Sequence, residues 1–290
     1  MASQALVLDR REPDNRPQGD YLSKRNFARL ARFINDYSGI RMPPTKITML
    51  EGRLRRRLRV TGHESLESYC RFLFEQDGID VEAVHLIDVA TTNKTDFFRE
   101  PNHFSYLVDE VLPELAEKGI GDIRVWSAAC STGAEPYTLA MILEDFRKSR
   151  RLGYSILATD LSTEVLATAI RGIYPEEMID PVPRDMARKY VLRSVLGDRQ
   201  VRIHHALRSK VGFGRLNLMD DRYEIGAPAD VIFCRNVLIY FEKSVQAVVL
   251  ARLCDCLAPG GYLFIGHSES VAGFSLPIKQ VANTIFQKTR

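Results

Sequence analysis

Apolar residues recur at helical spacing over the first third of the chain. Before Gly39, a natural helix stop, they are Phe27, Leu30, Phe33, Ile34 and Tyr37. A second set, spaced three, four and four residues apart, comprises Ile47, Leu50, Leu54 and Leu58. The segments SLESYCRFLF and VEAVHLIDVATT continue the helical spacing. The pattern predicts an all-α unit over residues 21–90.

The pattern changes after residue 120 to short apolar runs, each followed by a helix-like segment. The runs are IRVWSAA, YSILATD and ADVIFCRN. Strands that alternate with helices favour a parallel sheet covered on both faces, so the fold class is α/β and Rossmann-like. Two strand patterns without a long helix between them, GGYLFIGHSES and PIKQVANTIFQKT, end the chain and predict an antiparallel last strand. A small antiparallel β subdomain is expected at about 190–216, where VRIHHAL and KVGFGRLNL lie.

These patterns divide the 290 residues into four parts. Residues 1–20 form a polar tail that we expect to be disordered, and 21–90 the helical domain. Residues 91–120 are a linker with a connecting helix, and 121–290 are the sheet domain. No apolar run approaches the ~20 residues that span a bilayer, and the tail lacks a secretory signal, so a cytoplasmic protein is predicted.

Cysteine and histidine spacing argues against disulfide and metal chemistry. The five cysteines show no C-x-x-C pair, and the six histidines form no H-E-x-x-H motif. We therefore predict neither a disulfide framework nor a metal site.

Basic residues concentrate in one predicted helix. The segment KITMLEGRLRRRLR, from Lys46 to Arg59, holds six basic residues and one acid. Arg53 and Arg56, like Arg59, lie roughly opposite its apolar stripe. Such a face is either a solvated surface or an attractor for an acidic protein surface or nucleic acid, and the pattern alone leaves these alternatives open.

The turn in VWSAACSTGAEPYTLA indicates what kind of ligand the sheet domain binds. It is built from small residues with a single glycine, Gly133, so the dinucleotide motif G-x-G-x-x-G and the P-loop motif are both absent. Glu135 stands where a pyrophosphate would meet a negative charge. The turn therefore favours a ligand without phosphates that carries a cation, and it disfavours an NAD-dependent dehydrogenase.

Other polar residues follow predicted strands. In open α/β sheets, ligands bind at the carboxyl ends of the strands. Asp160 ends the second strand, where an acid can accept hydrogen bonds from ribose hydroxyls; capping the next helix is its alternative role. Arg235 and Asn236 close the strand VIFCRN, or merely complete its hydrogen bonds. The remaining strand-end pair is Asn217 and Leu218.

Five motifs together resemble the chemotaxis receptor glutamate methyltransferases (CheR). They are TTNKTDFFRE, VWSAACSTGAEPYTLA, ATDLSTEVLATAIRGIY, CRNVLIYF and GGYLFIGHSES, in the order and spacing of that family. The resemblance implies an N-terminal helical domain joined to an S-adenosylmethionine (SAM)-binding domain with a small β subdomain. It also implies methylation of glutamate side chains on the cytoplasmic helices of chemoreceptors, with S-adenosyl-L-homocysteine as product.

The same resemblance assigns roles to individual residues. The residues matching the family's cofactor contacts are Asn93, Thr95, Arg99, Glu135, Asp160, Asn217, Leu218, Arg235 and Asn236. Arg53, Arg56 and Arg59 match its receptor-facing helix, and Tyr240 matches a tyrosine close to the cofactor. Arg99 and Tyr240 are the candidates for orienting the substrate carboxylate.

Two positions depart from the family pattern. Ala134 stands where relatives often have a second acid, but Glu135 is retained. Members that dock a receptor tethering peptide carry a glycine-rich insertion in the β subdomain, whereas residues 190–201 contain only Gly197. We therefore expect no tethering-peptide docking. Without a long exposed apolar stripe, we also expect a monomer that does not insert into membranes.

Two other functions remain open. An RNA methyltransferase would use the arginine helix for phosphates, but the aromatic interleaving of single-strand binders is missing, so no nucleic-acid partner is expected. A non-catalytic adaptor would bind receptors and keep SAM as a mere ligand. Such an adaptor has no need of a transferable methyl group, so the enzyme is favoured.

Overall fold

The computed structural model describes residues 19–148, 150 and 152–289. The predicted disordered tail therefore lies, but for residues 19 and 20, outside the described residues. The first helices are α1 (Lys24–Ser38), α2 (Ile47–Thr61), α3 (Leu66–Glu75) and α4 (Ile79–Ala90). None of the helices in the described part of the chain is both long and apolar enough to cross a bilayer.

Local capping explains where these helices begin and end. The Ser23 hydroxyl accepts a hydrogen bond from the backbone of α1, and Ser65 and Ser68 form a reciprocal capping box on α3. Gly39 and Gly62, at φ 72° and 74°, end α1 and α2 in the left-handed conformation that glycine adopts without strain. The predicted helix stop at Gly39 is therefore confirmed.

The apolar stripes of α1 to α4 meet in one core. Leu30, Ile34, Leu50 and Leu54 are fully buried there. The core also holds a buried carboxylate, Glu82 of α4. The predicted amphipathic faces thus pack against one another.

Glu82 is held by three donors. Arg57 donates from Nε at 2.7 Å and from Nη2 at 2.6 Å, and the Tyr69 hydroxyl donates at 2.7 Å. Burial alone would raise the pKa of Glu82, but these hydrogen bonds and the Arg57 charge hold it below its usual value. The carboxylate is therefore ionised in the folded protein at neutral pH.

A linker and three helical segments lead into the sheet domain. They are α5 (Pro101–Tyr106), a π-helical turn (Leu107–Val111) and α6 (Leu112–Glu117). The remaining helices are α7 (Ala134–Lys148), α8 (Thr163–Arg171), α9 (Arg184–Tyr190), α10 (His205–Arg208) and α11 (Lys243–Cys256).

The sheet domain is built on seven strands. They are β1 (Asp122–Ala128), β2 (Gly153–Asp160), β6 (Val211–Arg215), β7 (Ala229–Cys234), β8 (Leu257–Ile265), β9 (Ile278–Ala282) and β10 (Ile285–Lys288). Their order across the sheet is β6-β2-β1-β7-β8-β10-β9. The first five strands are parallel, and β10 is antiparallel to both of its neighbours, β8 and β9. The α/β fold with an antiparallel end is therefore confirmed.

Both faces of the sheet are covered, as a parallel sheet requires. Along β1, Val125 faces a cluster that includes Leu139 of α7, while Trp126 faces one that includes Leu250 of α11. Alternate residues of a strand point to opposite faces, so one continuous apolar run supplies both cores. Because β1, β2 and β7 are parallel neighbours, their carboxyl ends lie along one edge of the sheet.

A separate small antiparallel sheet packs beside the large one. Its strands are β3 (Ile173–Pro175), β4 (Val191–Arg193) and β5 (Gln200–Ile203), in the order β3-β5-β4. The predicted β subdomain exists, but its extent at 190–216 was wrong at both ends. It starts with β3, and β6 pairs with β2 in the large sheet.

The last segment, PIKQVANTIFQKT, also differs from prediction. It forms two strands, β9 and β10, that reverse near Thr284, whose φ is 56°. Of these two strands, β10 pairs with β8, and β9 pairs with β10. A period-two pattern marks strand residues, but it contains no information about which neighbour each strand will pair with.

Polar contacts join the helical unit to the sheet domain. Asp88 of α4 accepts hydrogen bonds from Thr163 N at 3.0 Å and Thr163 Oγ1 at 2.9 Å, at the start of α8. Asn217 Nδ2 donates to Tyr37 O at 2.6 Å. The helical unit is thereby held over the edge where the parallel strands end.

We predict that Glu82→Gln destabilises the helical unit. The partly buried Arg57 guanidinium would lose its anionic partner in the core, so the free energy of unfolding in urea at pH 7 should fall by about 3 kcal/mol. The pKa of Glu82 is lowered in the folded state, so its stabilisation is present above the usual value of 4.5 and is lost as pH falls below it. The difference from the wild type should therefore shrink in acid.

Glu75→Gln is the matched control. It breaks the exposed Arg29–Glu75 pair, whose Nη1–Oε1 distance is 3.3 Å, and should cost less than about 1 kcal/mol. Equal losses in both variants would contradict the role assigned to the buried carboxylate.

Candidate active site

A cleft opens where β1, β2, β6 and β7 end. It encloses about 910 Å³ of space, the part open to solvent included, which lies within the range of about 300–1,000 Å³ of small-molecule pockets. Ser38 and Ile40 of the helical unit and residues 91–95 form its opposite wall. Every predicted cofactor residue lines this cleft: Asn93, Thr95, Arg99, Glu135, Asp160, Asn217, Leu218, Arg235 and Asn236.

The turn after β1 approaches the cleft through its backbone. Ala129 and Ser131 adopt φ values of 60° and 51°, and Gly133 has φ 91°. A Cβ on Gly133 would lie 2.8 Å from Ala169 Cβ and 3.0 Å from the Tyr174 hydroxyl. The turn is therefore pressed against α8, which leaves no room for a side chain at this glycine.

Ser131 ties three segments together at this point. Its backbone N–H donates to Asp160 Oδ2 at 2.8 Å, and its hydroxyl donates to Asn93 O at 2.9 Å. The ends of β1 and β2 and the segment after α4 are thus fixed to one another.

Glu135 and Arg235 form a buried ion pair. Arg235 Nε donates to Glu135 Oε2 at 2.7 Å, and the Ser127 hydroxyl donates to Glu135 Oε1 at 2.7 Å. The Arg235 side chain is only 2% exposed, with the rings of Phe104 and Phe233 at 5.2 and 5.5 Å from its guanidinium. The negative charge that the sequence offers to a cationic ligand is therefore balanced within the protein by Arg235.

Asp160 is buried and accepts two backbone hydrogen bonds. Ser162 N donates to Oδ1 at 2.9 Å, and Ser131 N donates to Oδ2. Burial raises the pKa of Asp160, while these N–H groups oppose the rise. The alternative that Asp160 caps α8 is wrong, because the Ser162 side chain is the N-cap and accepts from Val165 N.

Asn217 and Leu218 serve the cleft in different ways. The Asn217 side chain donates to Tyr37 and accepts from Met219 N at 3.0 Å, so it fastens the loop after β6 to the helical unit. Leu218 is 7% exposed and presents an apolar wall.

Asn236 is held by two acids that sequence reasoning missed. Its Nδ2 donates to Glu100 Oε1 at 3.0 Å, and its N–H donates to Glu269 Oε2 at 3.0 Å. Glu269 also accepts from Leu238 N at 2.7 Å and Gly266 N at 2.6 Å. Glu100 ends the motif TTNKTDFFRE, and Glu269 lies in GGYLFIGHSES. Neither motif indicates that its acid binds Asn236.

Strained backbone is concentrated at this cleft. Eight non-glycine residues in the described part of the chain have positive φ, and five of them lie in or beside it. These five are Phe98, Glu100, Ala129, Ser131 and Asn236. Each such conformation costs about 1–3 kcal/mol and persists where the surroundings impose it, as is typical of functional sites.

Tyr240 and Arg99 both line the cleft, as the orienting roles require. Arg99 Nη1 donates to Lys94 O at 3.1 Å. Tyr240 O accepts from Arg41 N at 3.0 Å, and the Lys46 ammonium lies 5.3 Å from the centre of the Tyr240 ring. Burial, and then the Arg53 charge, lower the pKa of Lys46. The helical unit thus contributes a cation beside Tyr240.

The three arginines predicted to face the substrate are not equivalent. Arg53 and Arg56 line a groove between α2, α4 and α8 that shares Thr91 and Asn93 with the cleft. Arg53 Nη1 donates to Val89 O at 2.8 Å and Thr91 O at 2.6 Å, so its charge is engaged within the protein. Arg56 is exposed in the groove. Arg59 is exposed but does not line it.

Comparison with protein families matches nearly the whole chain. A family model for the "CheR methyltransferase, SAM binding domain" matches residues 93–286. A second, for the "CheR methyltransferase, all-alpha domain", matches residues 25–91.

Curated relatives agree over most of their length. A "Chemotaxis protein methyltransferase" of Borreliella burgdorferi is 38% identical over 258 residues, covering 87% of this chain and 90% of that protein. The Escherichia coli protein of the same name is 39% identical, covering 86% and 85%. "Chemotaxis protein methyltransferase 2" of Pseudomonas aeruginosa is 33% identical, covering 92% and 94%.

These matches confirm the resemblance and the SAM cofactor inferred from the motifs. They also agree with a cleft at the carboxyl ends of a largely parallel sheet beside an all-α unit. The chain therefore belongs to the CheR methyltransferase family, and it is a SAM-dependent methyltransferase of chemotaxis.

Proposed function

We propose that the protein transfers the methyl group of SAM to glutamate side chains on the cytoplasmic helices of chemoreceptors. The products are a glutamate methyl ester and S-adenosyl-L-homocysteine. The observation that carries this proposal is the convergence of all the predicted cofactor residues, with Arg99 and Tyr240, on one cleft that adjoins an arginine-lined groove. We further propose that it acts in the cytoplasm as a monomer and docks no tethering peptide. Its proposed domains are the helical domain at 21–90, the linker at 91–120 and the sheet domain at 121–290.

The cleft residues suit the chemistry of SAM. Asp160 can accept hydrogen bonds from ribose hydroxyls, and Leu218 offers an apolar surface for a base. Among the described residues, Arg235 Nη2 has no hydrogen-bond acceptor, whereas Nε and Nη1 are engaged. That free donor suits the carboxylate of an amino-acid moiety. The absence of a glycine-rich phosphate cradle fits a ligand without phosphates.

The transfer needs little acid–base chemistry from the protein. SAM supplies a methyl group bonded to a cationic sulfur, which makes it electrophilic. A glutamate side chain, with a pKa of about 4.3 in water, is already ionised at neutral pH, so no general base is required. We therefore assign the protein the task of aligning the substrate carboxylate, a contribution of roughly 7–11 kcal/mol in well-oriented reactions.

Arg99 and Tyr240 are the proposed orienting residues. The Arg99 guanidinium and the Tyr240 hydroxyl can each donate a hydrogen bond to a carboxylate. Because carboxylate and sulfonium lose their charges as they react, a cleft that excludes water favours the reaction. Arg56 and Arg59 are the proposed contacts for the acidic receptor helix, and Arg53 positions the groove.

The decisive experiment uses SAM labelled on its methyl group, the full-length protein and receptor-containing membranes. We expect label on receptor bands that mild alkali releases as methanol, since methyl esters are base-labile. Base-stable label on protein or RNA would overturn glutamate esterification. Measurable SAM binding without any transfer would instead support the adaptor.

We predict that Asp160→Ala weakens SAM binding at least tenfold in equilibrium binding, because a buried charged acceptor is lost. Burial raises the pKa of Asp160, so wild-type affinity should fall in acid, starting at a higher pH than for an exposed aspartate. Asp230→Ala is the control. Asp230 is also buried, but it accepts from Arg124 N at 2.8 Å near the opposite ends of the strands.

The Asp230 variant should lose stability without losing SAM affinity. If both variants lose affinity equally, Asp160 acts only through stability.

We predict that Tyr240→Phe lowers the single-turnover rate of methyl transfer about tenfold, the effect of removing one hydrogen bond to a charged group. SAM affinity should change less than about twofold, because the ring remains. Tyr37→Phe, which removes a hydroxyl that accepts from Arg215 Nη2 at 2.6 Å, is the matched control. An unchanged single-turnover rate in Tyr240→Phe would remove Tyr240 from the orienting role.

A further inference from the structure

We propose that His103 is a positioning residue of the methyl-transfer site, acting through Arg235. Its imidazole accepts a hydrogen bond from Arg235 and thereby sets how the guanidinium meets Glu135 and the backbone of Arg99. The inference rests on the proposed function for its catalytic meaning, but its effect on SAM binding is separately measurable.

The neighbours of His103 determine its tautomer. Arg235 Nη1 lies 3.0 Å from His103 Nδ1, and an arginine only donates, so Nδ1 carries no proton. The proton is on Nε2, which donates to Thr284 Oγ1 at 2.8 Å, and Thr284 Oγ1 donates to Asn283 O at 2.7 Å. His103 is 1% exposed. Burial, followed by the Arg235 charge, lowers its pKa to about 4, so the ring is neutral at pH 7.

Arg235 transmits this arrangement to the cleft. Its Nη1 also donates to Arg99 O at 2.9 Å and lies 3.4 Å from Glu100 Oε2, while Nε holds Glu135. A planar guanidinium presents its donors in a fixed fork, so an acceptor at one edge fixes the direction of the others. Without the His103 acceptor, the guanidinium would turn toward Glu100 and away from the geometry that leaves Nη2 free for a ligand.

The same cluster could be mistaken for a metal site. Ligand atoms of Glu100, His103 and His267 lie within 4.8 Å of one another. A cation bound there would need the Nδ1 lone pair that already accepts from Arg235, and it would sit beside the arginine charge. The hydrogen-bond pattern therefore favours positioning over metal binding.

Two substitutions distinguish the hydrogen bond at His103 Nδ1 from the one at Nε2. His103→Asn places an amide oxygen near the Nδ1 position, where it can still accept from Arg235. His103→Gln places an amide nitrogen near the Nε2 position, where it can still donate to Thr284, but removes the acceptor for Arg235. His63→Gln is the control, since His63 lies in the helical unit, where its ring packs on Tyr69 at 5.5 Å.

We expect His103→Gln to weaken SAM binding about tenfold and to lower kcat/KM at least as much, as for a lost hydrogen bond to a charged group. His103→Asn should stay within about threefold of the wild type, and His63→Gln should be unchanged. Unfolding in urea, measured on each variant, shows whether the losses follow stability instead.

Equal impairment of the Asn and Gln variants, or wild-type SAM affinity in the Gln variant, would overturn the proposal. Activity that rises with added Zn²⁺ and falls with a chelator would also overturn it, in favour of a metal site. If the wild type forms no base-labile ester, the proposed function fails. The SAM-binding comparison still tests His103 in that event, because it needs no methyl acceptor.

Discussion

The site depends on the buried ion pair between Glu135 and Arg235. The two residues come from the start of α7 and the end of β7, and their side chains are 10% and 2% exposed. Glu135 is the nearer of two carboxylates beside Arg235, at 2.7 Å against 3.4 Å for Glu100, and breaking such a buried pair typically costs about 3–5 kcal/mol. Because Arg235 also holds the Arg99 carbonyl, the pair ties the segment before the sheet to two strand ends. The cleft therefore has a buried ion pair at its base, and Arg235 Nη2 has no hydrogen-bond acceptor among the described residues.

Backbone strain around the cleft is held by two other buried carboxylates, Asp160 and Glu269. Residues such as Ser131 and Asn236 keep left-handed conformations because side chains from distant segments bind their N–H groups. Because the N–H groups of Ser131 and Asn236 make these contacts, small side chains suffice to line this part of the cleft. A turn of alanine, cysteine and serine in place of a glycine-rich loop suits the proposed SAM site, because SAM has no phosphate and would meet backbone groups and one carboxylate, Asp160. The strain is stored where a ligand would be recognised.

The helical unit completes the site from the other side. Asp88 accepts a hydrogen bond from Thr163 N at the start of α8, and Asn217 donates one to Tyr37 O at the end of α1. These bonds hold the arginine-lined groove next to the cleft. Arg53, which the family resemblance assigns to the receptor-facing helix, donates to the carbonyls of Val89 and Thr91 at the end of α4, whereas Arg56 remains exposed. One helix thus uses Arg53 to fix the end of α4 beside the cleft and leaves Arg56 exposed, as a contact for the proposed acidic receptor helix.

Sequence alone determined the all-α unit, the covered parallel sheet and the cleft. Periodicity marks each element, and parallel strands end at one edge, so polar residues after separate strands must meet there. Only the tertiary structure decided that β6 joins the large sheet, that Arg235 rather than a ligand neutralises Glu135, and that Glu269 and His103 support the site. These outcomes depend on contacts between residues up to 181 positions apart, as between His103 and Thr284. A local pattern shows that a side chain is polar or buried, but the identity of its partner is fixed only when the chain packs.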